Sequence, residues 1–234
     1  PHVAGSLALM TQLHPTWSTA ARKSALMMTA LSGTTKDYDY KDVDEFDYGS
    51  GRLDMTKAAL IGLIMDETYD GFVAADPAEG GDVRTLNIPS YQNTTCVGVC
   101  SFERTFTSVA DVEATYTLTL DSDDRLDVTV SPETFTIAPN GTQKITVTFD
   151  VSNAPSEEFV FGRLNYATTA KWSTGEDISA VTIPFAVRSF PSTMTSLIDE
   201  TILRDQGGVV IEGVQSKEIT EFTALVSGLI PGTD

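Results

Sequence analysis

The chain has 234 residues, of which 33 are Asp or Glu and 15 are Lys or Arg, which gives a formal net charge of -18. An acidic surface of this kind repels the phosphates of nucleic acids and anionic lipids, so we expect neither nucleic-acid nor membrane binding. Hydrophobic residues form 41% of the chain, enough for one large or two small globular units, and no apolar stretch is long enough for a membrane helix.

The N-terminal residues predict a helix with almost no polar face. Its apolar positions are Val3, Ala4, Leu7, Ala8, Leu9, Met10 and Leu13. This pattern is typical of a helix buried inside a larger domain. Because Pro1 has no N–H to donate and is tolerated in a first helical turn, we expect the helix to begin at or just before residue 1. We expect its neighbours to belong to a longer protein.

A second helix is predicted to follow, with Ser18 as its N-cap and with Pro15 and Trp17 fixing the approach of the chain. Its apolar stripe consists of Ala21, Ala25, Leu26 and Met28. A stripe of this width buries one face, so we predict that this helix packs on the first one.

The acidic segment between Asp37 and Asp47 offers the hard oxygen ligands that calcium prefers. Its acidic residues are Asp37, Asp39, Asp42, Asp44, Glu45 and Asp47. Their spacing does not match the calcium-binding loop, since Lys41 occupies the place of a ligand and no glycine follows for the sharp turn. Residues 49–51, Gly-Ser-Gly, lack the rest of a phosphate-binding motif. We therefore predict a solvated loop and a tight turn, and we expect no metal and no cofactor.

Three blocks of this segment share one family pattern. Residues 1–5 read Pro-His-Val-Ala-Gly, residues 15–30 read Pro-Thr-Trp-Ser-Thr-Ala-Ala-Arg-Lys-Ser-Ala-Leu-Met-Met-Thr-Ala, and residues 46–59 contain Tyr-Gly-Ser-Gly-Arg-Leu-Asp-Met-Thr-Lys-Ala-Ala. In content and order they resemble the end of the catalytic domain of subtilisin-like serine proteases. Thr19 and Arg22 are departures from the family's pattern.

The resemblance implies where the family's chemistry lies. In the family the catalytic serine stands four residues before the proline of Pro-His-Val-Ala-Gly, which places it upstream of residue 1, and the catalytic histidine stands further upstream. His2 then belongs to the helix after the serine, and we expect it to be packed or hydrogen-bonded. We therefore assign no catalytic, cofactor-binding or metal-binding residue to this chain.

From about residue 84 the apolar residues alternate, which predicts half-buried strands. The alternating positions are Tyr116, Leu118 and Leu120; Leu126, Val128 and Val130; Phe135 and Ile137; Ile145, Val147, Phe149 and Val151; Phe161 with Leu164; and Val181, Ile183, Phe185 and Val187. Spacings of about ten residues fit an immunoglobulin-like or fibronectin type III-like sandwich. Asn140 and Gly141 predict a turn, and Pro184 predicts an edge strand or a bulge.

The two cysteines, Cys96 and Cys100, lie in a loop-like stretch where Gly98 lets the chain turn back on itself. A disulfide fits best, and it would stabilise the fold by roughly 2 kcal/mol. Free thiols are the first alternative. A metal site is the second, but it would need two further ligands nearby, and the chain's two histidines lie in the N-terminal segment.

A disulfide implies an oxidising compartment, and we expect an extracellular protein. The tripeptides that begin at Asn93 and Asn140 match the acceptor pattern for N-glycosylation, a common and weak signal.

The alternating half carries a second resemblance, to the fibronectin type III-like domain that follows the catalytic domain in cucumisin-like proteases. The matching segments are residues 86–90, 102–109, 128–132, 161–164 and 183–187. Ser108 replaces the asparagine of the family, and the loop between Cys96 and Cys100 has no counterpart. Both resemblances together cover residues 1 to about 189.

We therefore predict a mixed fold class, in which the helical C-terminal remnant of a subtilisin-like α/β catalytic domain is followed by an all-β fibronectin type III-like sandwich. Residues 1–66 are the remnant, 67–83 a linker, 84–189 the sandwich, and 190–234 a β-rich extension or the start of a further domain. Strands are expected near residues 208–211 and 222–226.

In function, the resemblance implies the C-terminal fragment of a secreted serine endopeptidase whose Asp, His and Ser triad lies upstream, so that this chain alone is inactive. The alternative is a noncatalytic module for catalytic-domain support, dimerisation or protein-substrate binding. The expected partners are the rest of the catalytic domain, protein or peptide substrates, and a second copy in a homodimer.

Overall fold

The computed structural model describes residues 1–32, 43–192 and 214–216. The helices in these ranges are α1 (His2–Leu13), α2 (Thr19–Met28), α3 (Glu45–Tyr48), α4 (Met55–Ala59) and α5 (Tyr69–Ala74). Two short 3-10 segments follow α5, at Pro77–Glu79 and Val83–Thr85. The helices therefore concentrate in the N-terminal part, as the sequence predicts.

Helix α2 forms where its cap and its stripe predict it. The Ser18 hydroxyl oxygen accepts a hydrogen bond from the backbone N–H of Ala21 at 2.9 Å, which satisfies one of the free donors of the first turn. Its buried residues are Ala21, Ser24, Ala25, Leu26 and Met28. One side of the helix packs on α1 and α4, and it also contacts the nearest strands of the sandwich.

The strands are β1 (Leu63–Ile64), β2 (Tyr91–Cys96), β3 (Val99–Ser108), β4 (Ala114–Ser122), β5 (Asp127–Ser131), β6 (Thr134–Ile137), β7 (Thr142–Asp150), β8 (Phe159–Ala167) and β9 (Val181–Ser189). They form two sheets, with strand orders β1-β3-β7-β5 and β2-β9-β8-β4-β6. All neighbours are antiparallel except β2 and β9, which run parallel.

The core lies between the two sheets and is rich in aromatic rings. One group brings together Tyr91, Phe102, Phe149 and Phe185. A second group joins Phe106, Tyr116, Phe135 and Tyr166. Each of these side chains belongs to an inward-facing position of its strand, so burial of the alternating residues holds the sandwich together. The predicted fold class, a helical segment followed by a β-sandwich, is confirmed.

Two local predictions can be compared with the backbone. The turn at Asn140 is confirmed, because Asn140 has a φ of 58° and the N–H of Gly141 donates to the carbonyl of Ala138 at 2.9 Å. The edge-strand prediction at Pro184 is wrong, since β9 lies between β2 and β8. Proline is tolerated there because the pairing with β2 begins only at Phe185, one residue later.

The structure contains elements that the predicted segment limits did not include. Residues 67–83, predicted as a linker, contain α5 and a 3-10 segment, and β1 from the helical part adds to the sheet beside β3. The domain limits themselves stay a prediction. Most of the segment 190–234 lies outside the described residues, including the strands expected near 208–211 and 222–226.

Candidate functional site

The exposed face of α1 is the first candidate site. Ser6 and Met10 are its only buried residues, whereas Val3 is 56%, Leu9 57% and Leu13 52% exposed. A groove of about 220 Å³ adjoins this face, and it is lined by apolar residues of α1 and α2 and by the segment around Leu53. Several exposed large apolar side chains on one helix are typical of a helix that packs against another protein surface.

His2 lies at the start of this face and is exposed. The prediction that it is packed or hydrogen-bonded is therefore wrong within the described part of the chain, where nothing covers the first turn of α1. The other histidine, His14, stacks on Trp17 with ring centroids 3.8 Å apart. Burial lowers the pKa of His14, and the nearby charge of Arg22 acts in the same direction.

The helical segment is joined to the sandwich by buried and partly buried polar contacts. The hydroxyl oxygen of Ser24 accepts a hydrogen bond from the N–H of Met65 at 3.0 Å. The carbonyl of Leu60 accepts two, one from the indole N–H of Trp172 at 3.2 Å and one from the N–H of Ser179 at 2.9 Å. These contacts fix the position of α2 and α4 against the sheets, because breaking them would leave buried groups unpaired.

A second joint connects α3 to the outer face of the sheet that contains β8. The Glu45 carboxylate accepts hydrogen bonds from Arg163 Nη2 at 3.2 Å and from the Tyr48 hydroxyl at 2.8 Å. Arg163 also lies over the ring of Tyr48, 4.6 Å from its centroid. Burial raises the pKa of Glu45, and this effect outweighs the opposite effect of Arg163.

A cleft between the edges of β2 and β3 is the second candidate site. It has two neighbouring lobes of about 460 and 450 Å³. Polar lining comes from Asp82, Arg84, Asn93, Thr95 and Arg104, and apolar lining comes from several residues, including Phe102. The cleft thus has the mixed lining that suits a polypeptide rather than a small apolar ligand.

Arg104 forms the floor of this cleft and is 3% exposed. Its guanidinium donates hydrogen bonds to the backbone carbonyls of Ile88, Arg84, Glu103 and Ser90, at 2.8 to 3.0 Å. It also lies 5.0 Å from the centroid of the Tyr91 ring. Burial lowers the pKa of Arg104. The residue holds the segment between 84 and 90 against β3, and its donors are largely used for that purpose.

Neither Arg104 nor the pair of Arg163 with Glu45 was among the residues predicted from the sequence. A signal for Arg104 was present, because it has the same parity in β3 as the buried residues Phe102 and Phe106. A charged residue at an inward position of an alternating strand indicates a buried, fully hydrogen-bonded group. No comparable signal existed for the pair, since 118 residues separate its members.

The predicted disulfide is present. Cys96 at the end of β2 is bonded to Cys100 in β3, with Cα atoms 5.7 Å apart, so it ties the two sheets together at one end of the cleft. The described residues contain no free cysteine.

The two predicted glycosylation sites differ in access. Asn140 lies in an exposed turn. Asn93 is 4% exposed, and its side-chain oxygen accepts a hydrogen bond from the N–H of Thr95 at 2.9 Å. A glycan on Asn93 would displace this contact, so the folded chain favours Asn140 as the acceptor. Modification of either residue stays a prediction.

The described part of the acidic segment supplies the N-cap of α3. Asp37, Asp39 and Asp42 lie outside the described residues. Asp44 caps α3, accepting hydrogen bonds from the N–H groups of Phe46 and Asp47, while the Asp47 carboxylate accepts one from the Asp44 N–H. No group of three or more potential metal ligands occurs in the described ranges.

Comparison with known proteins places these features in a family. A sequence profile of the fibronectin type-III domain matches residues 85–187. The chain is 32% identical over 200 residues to the subtilisin-like protease SBT2.5 of Arabidopsis thaliana, a match that covers 70% of this chain and 24% of that protein. It is 34% identical over 210 residues to SBT1.7 of the same plant, covering 76% and 27%. The chain belongs to the subtilisin-like proteases.

This member of the subtilisin-like proteases spans about a quarter of the length of those two relatives. Among solved structures, WR4, an MSP family member of C. elegans, is 12% identical with a TM-score of 0.31, and the match covers 42% of this chain and 92% of that one. Of the described helices, none is both long and apolar enough to cross a membrane.

Proposed function

We propose that this chain is the C-terminal fragment of a secreted subtilisin-like serine endopeptidase, whose Asp, His and Ser triad lies upstream of Pro1. Its relatives are proteases of this family, and its first residues read Pro-His-Val-Ala-Gly, as the family does after its serine. The chain alone is then inactive. Export to an oxidising compartment is supported by the Cys96 to Cys100 disulfide.

The observation that carries the proposal is the exposed apolar face of α1. Val3, Leu9 and Leu13 are each more than half exposed, although the first turns of the helix carry the Pro-His-Val-Ala-Gly motif, which the family keeps inside its catalytic domain. Burying three such side chains is worth several kcal/mol, about 1.5 to 3 for each. The occupant of this face is then the upstream part of the same catalytic domain.

In the complete enzyme, the serine oxygen would attack the carbonyl carbon of a peptide bond while the histidine accepts the serine proton. The histidine then gives this proton to the leaving amine as the C–N bond breaks, and water hydrolyses the acyl ester and restores the serine. What this chain supplies is α1, whose first turn has no side-chain cap. Its N-terminal dipole favours the negative charge that develops on the carbonyl oxygen.

A fluorophosphonate label, which reacts with activated serines, tests this proposal. We expect the 234-residue chain to remain unlabelled and the chain extended upstream through the catalytic segment to be labelled. Replacement of the serine four residues before Pro1 by alanine should abolish labelling. An extended chain that folds and remains unlabelled would mean a pseudoenzyme and would overturn the proposal.

The role of the α1 face has its own test in the extended enzyme. Leu9→Gln should lower peptidase activity or its thermal stability, because it places an amide in the contact with the upstream segment. Leu120→Gln is the matched control, since Leu120 is also exposed, at 38%, but belongs to the sandwich. Equal behaviour of the two variants would contradict the proposed contact.

The alternative function, a noncatalytic sandwich module, applies to the isolated chain. The buried contact of Ser24 with Met65 and the partly buried contact of Leu60 with Trp172 favour support of the catalytic domain over dimerisation or protein-substrate binding. Removing residues 84–234 from the extended enzyme should then lower its unfolding temperature. A sandwich that only binds substrate would leave this temperature unchanged and would raise KM on removal.

A further inference from the structure

The turn between α1 and α2 is bridged by the side chain of Arg22, a residue near the start of α2. Its Nη2 group donates hydrogen bonds to the backbone carbonyls of His14, at 3.2 Å, and of Pro15, at 3.0 Å. Its Nε group also donates to the carbonyl of His14, at 3.4 Å. These three hydrogen bonds, here named the Arg22 clamp, join α2 to the residues that directly follow α1.

The charge of Arg22 acts in opposite ways on the two helices. The C-terminal end of a helix carries partial negative charge, and α1 has no basic residue in its own last turn. The guanidinium supplies a positive charge at that end. The N-terminal end of α2 carries partial positive charge, which a nearby cation opposes. The placement of Arg22 therefore stabilises the end of α1 rather than the start of α2.

The clamp connects a weakly held helix to a firmly held one. Ser6 and Met10 are the only buried residues of α1, whereas five of the ten residues of α2 are buried. The Ser24 hydroxyl of α2 accepts a hydrogen bond from the N–H of Met65 at 3.0 Å, and the Ser18 hydroxyl donates one to the Asp66 carboxylate. Because α2 is fixed in this way, the clamp fixes the end of α1 as well.

His14, the residue that Arg22 contacts, is held from both sides. Its N–H donates to the carbonyl of Met10 at 2.8 Å, which ties it to the last turn of α1. Its carbonyl accepts a hydrogen bond from the N–H of Trp17 at 3.2 Å, in addition to those from Arg22. Its ring stacks on the ring of Trp17, with centroids 3.8 Å apart. A movement of α1 along its own axis would therefore break several of these contacts.

We propose that Arg22 is a positioning residue for the peptidase reaction, because the clamp fixes where α1 lies along its axis. This inference rests on the proposed function, in which the catalytic serine stands four residues before Pro1. Arg22 departs from the family's pattern, so the clamp is a feature of this chain.

The helix itself carries the effect from one end to the other. An α-helix is a hydrogen-bonded rod with a rise of about 1.5 Å per residue, so the 12 residues of α1 move as a unit. An axial shift at His14 then displaces the first turn, and the serine before it, by nearly the same distance. A displacement of about 1 Å at the reacting atoms can lower a rate by about a hundredfold.

Residue-resolved amide hydrogen exchange of the 234-residue chain tests the clamp independently of activity. Arg22→Met keeps an apolar stem but removes the guanidinium, so exchange of the amides of His14 and Trp17 should speed up at least about tenfold. The amide of Leu26 in α2 should not change. Arg52→Met, at an exposed arginine of the same helical part, is the matched control and should leave all these amides unchanged. Unchanged exchange at His14 and Trp17 in Arg22→Met would overturn the proposal.

Kinetics of the extended enzyme test the positioning role. At a temperature where the variant is fully folded, Arg22→Met should lower kcat for a peptide substrate at least about fivefold and leave KM unchanged. Arg22→Lys can keep one of the hydrogen bonds and should recover part of this loss, whereas Arg52→Met should leave kcat unchanged. A lower unfolding temperature with unchanged kcat would show that Arg22 only stabilises the fold, which would overturn the proposal.

The fluorophosphonate label separates this proposal from the function on which it rests. An extended wild type that folds and remains unlabelled would overturn the peptidase function and the positioning role together. A wild type that is labelled, with a kcat that does not depend on Arg22, would overturn the positioning role alone. We expect a labelled wild type and slower labelling of Arg22→Met.

Discussion

Glu45 and Arg163 form an ion pair between elements that are distant in sequence, with Arg163 Nη2 3.2 Å from Glu45 Oε1. The two side chains are only 13% and 9% exposed, so the pair is shielded from water. Phe46, the next residue of α3, packs edge-on against Phe159 and Phe161 of β8. Together these contacts cover the outer face of β8 with a segment from the helical part of the chain.

This pair predicts a pH dependence. Burial raises the pKa of Glu45 above its ordinary 4.5, so the folded chain holds that proton more tightly than the unfolded chain does. The stability contributed by Glu45 is then fully present below the unfolded pKa and is lost as pH rises through the folded pKa. In urea titrations from pH 4 upward, wild type should lose stability relative to Glu45→Gln.

The control for this titration is Glu79→Gln, at an exposed position outside the pair. The difference in stability between Glu79→Gln and wild type should stay constant as pH rises. If wild type instead gains stability relative to Glu45→Gln as pH rises, attraction to Arg163 outweighs burial, which is the opposite of our expectation.

Arg104 predicts a large loss of stability on substitution. Arg104→Met keeps the length of the side chain but leaves the carbonyls of Ile88, Arg84, Glu103 and Ser90 without their donor. We expect the free energy of unfolding in urea to fall by about 3 kcal/mol. Arg84→Met is the matched control, because the Arg84 side chain is 48% exposed in its ion pair with Asp82. Its effect should stay below about 1 kcal/mol.

The disulfide predicts a smaller loss. Since the bond closes a loop between residues separated by 4 positions, the double substitution Cys96→Ser and Cys100→Ser should cost about 2 kcal/mol. Dithiothreitol should lower the stability of wild type by a similar amount and leave the double variant unchanged. Wild type that is insensitive to dithiothreitol and reacts with a thiol reagent when unfolded without reductant would show that the cysteines are free.

Gly162 and Gly5 should respond in opposite ways to substitution by alanine, because the space around them differs. A methyl group on Gly162 in β8 would collide with the ring of Phe185 and the carbonyl oxygen of Asp121, so Gly162→Ala should destabilise the chain by about 2 kcal/mol. Gly5 in α1 has open space around it, and Gly5→Ala should stabilise the helix by about 0.8 kcal/mol. Thermal unfolding of both variants measures the contrast, and two shifts of the same sign would contradict it.

Local signals in this sequence predicted local structure well. The cap at Ser18 and the turn at Asn140 depend only on neighbouring residues, and both appear where they were predicted. The alternation of apolar residues also predicted the strands. It gave a wrong pairing where the two residues were an odd number of positions apart. Phe161 and Leu164 were taken as one apolar pair, yet three positions separate them, so they face opposite sides of β8. Leu164 lies in the core, whereas Phe161 meets Phe46 of α3.

Contacts between distant segments could not be predicted in this way. The ion pair of Glu45 with Arg163 and the pairing of β1 with β3 depend on how the helical part lies against the sandwich, and no pattern within either part encodes that placement. The cleft depends on a third such fact, that β3 is longer than the strand beside it on one side. The family resemblance predicted the order of the two parts of the chain. The contacts between them depend on the three-dimensional placement of one part against the other.

The last prediction concerns the order in which the two long helices, α1 and α2, open. In the structure α1 exposes Val3, Leu9 and Leu13 and buries only Ser6 and Met10, whereas half of the residues of α2 are buried, so local opening of α1 alone costs less free energy. Thermolysin, which cuts before large apolar residues, should therefore remove α1 first and leave α2 and the sandwich intact, as followed by mass spectrometry. Simultaneous loss of α2 would mean that both helices open together. In the extended enzyme, the proposed contact with the upstream segment covers α1, so thermolysin should cleave the same bonds much more slowly.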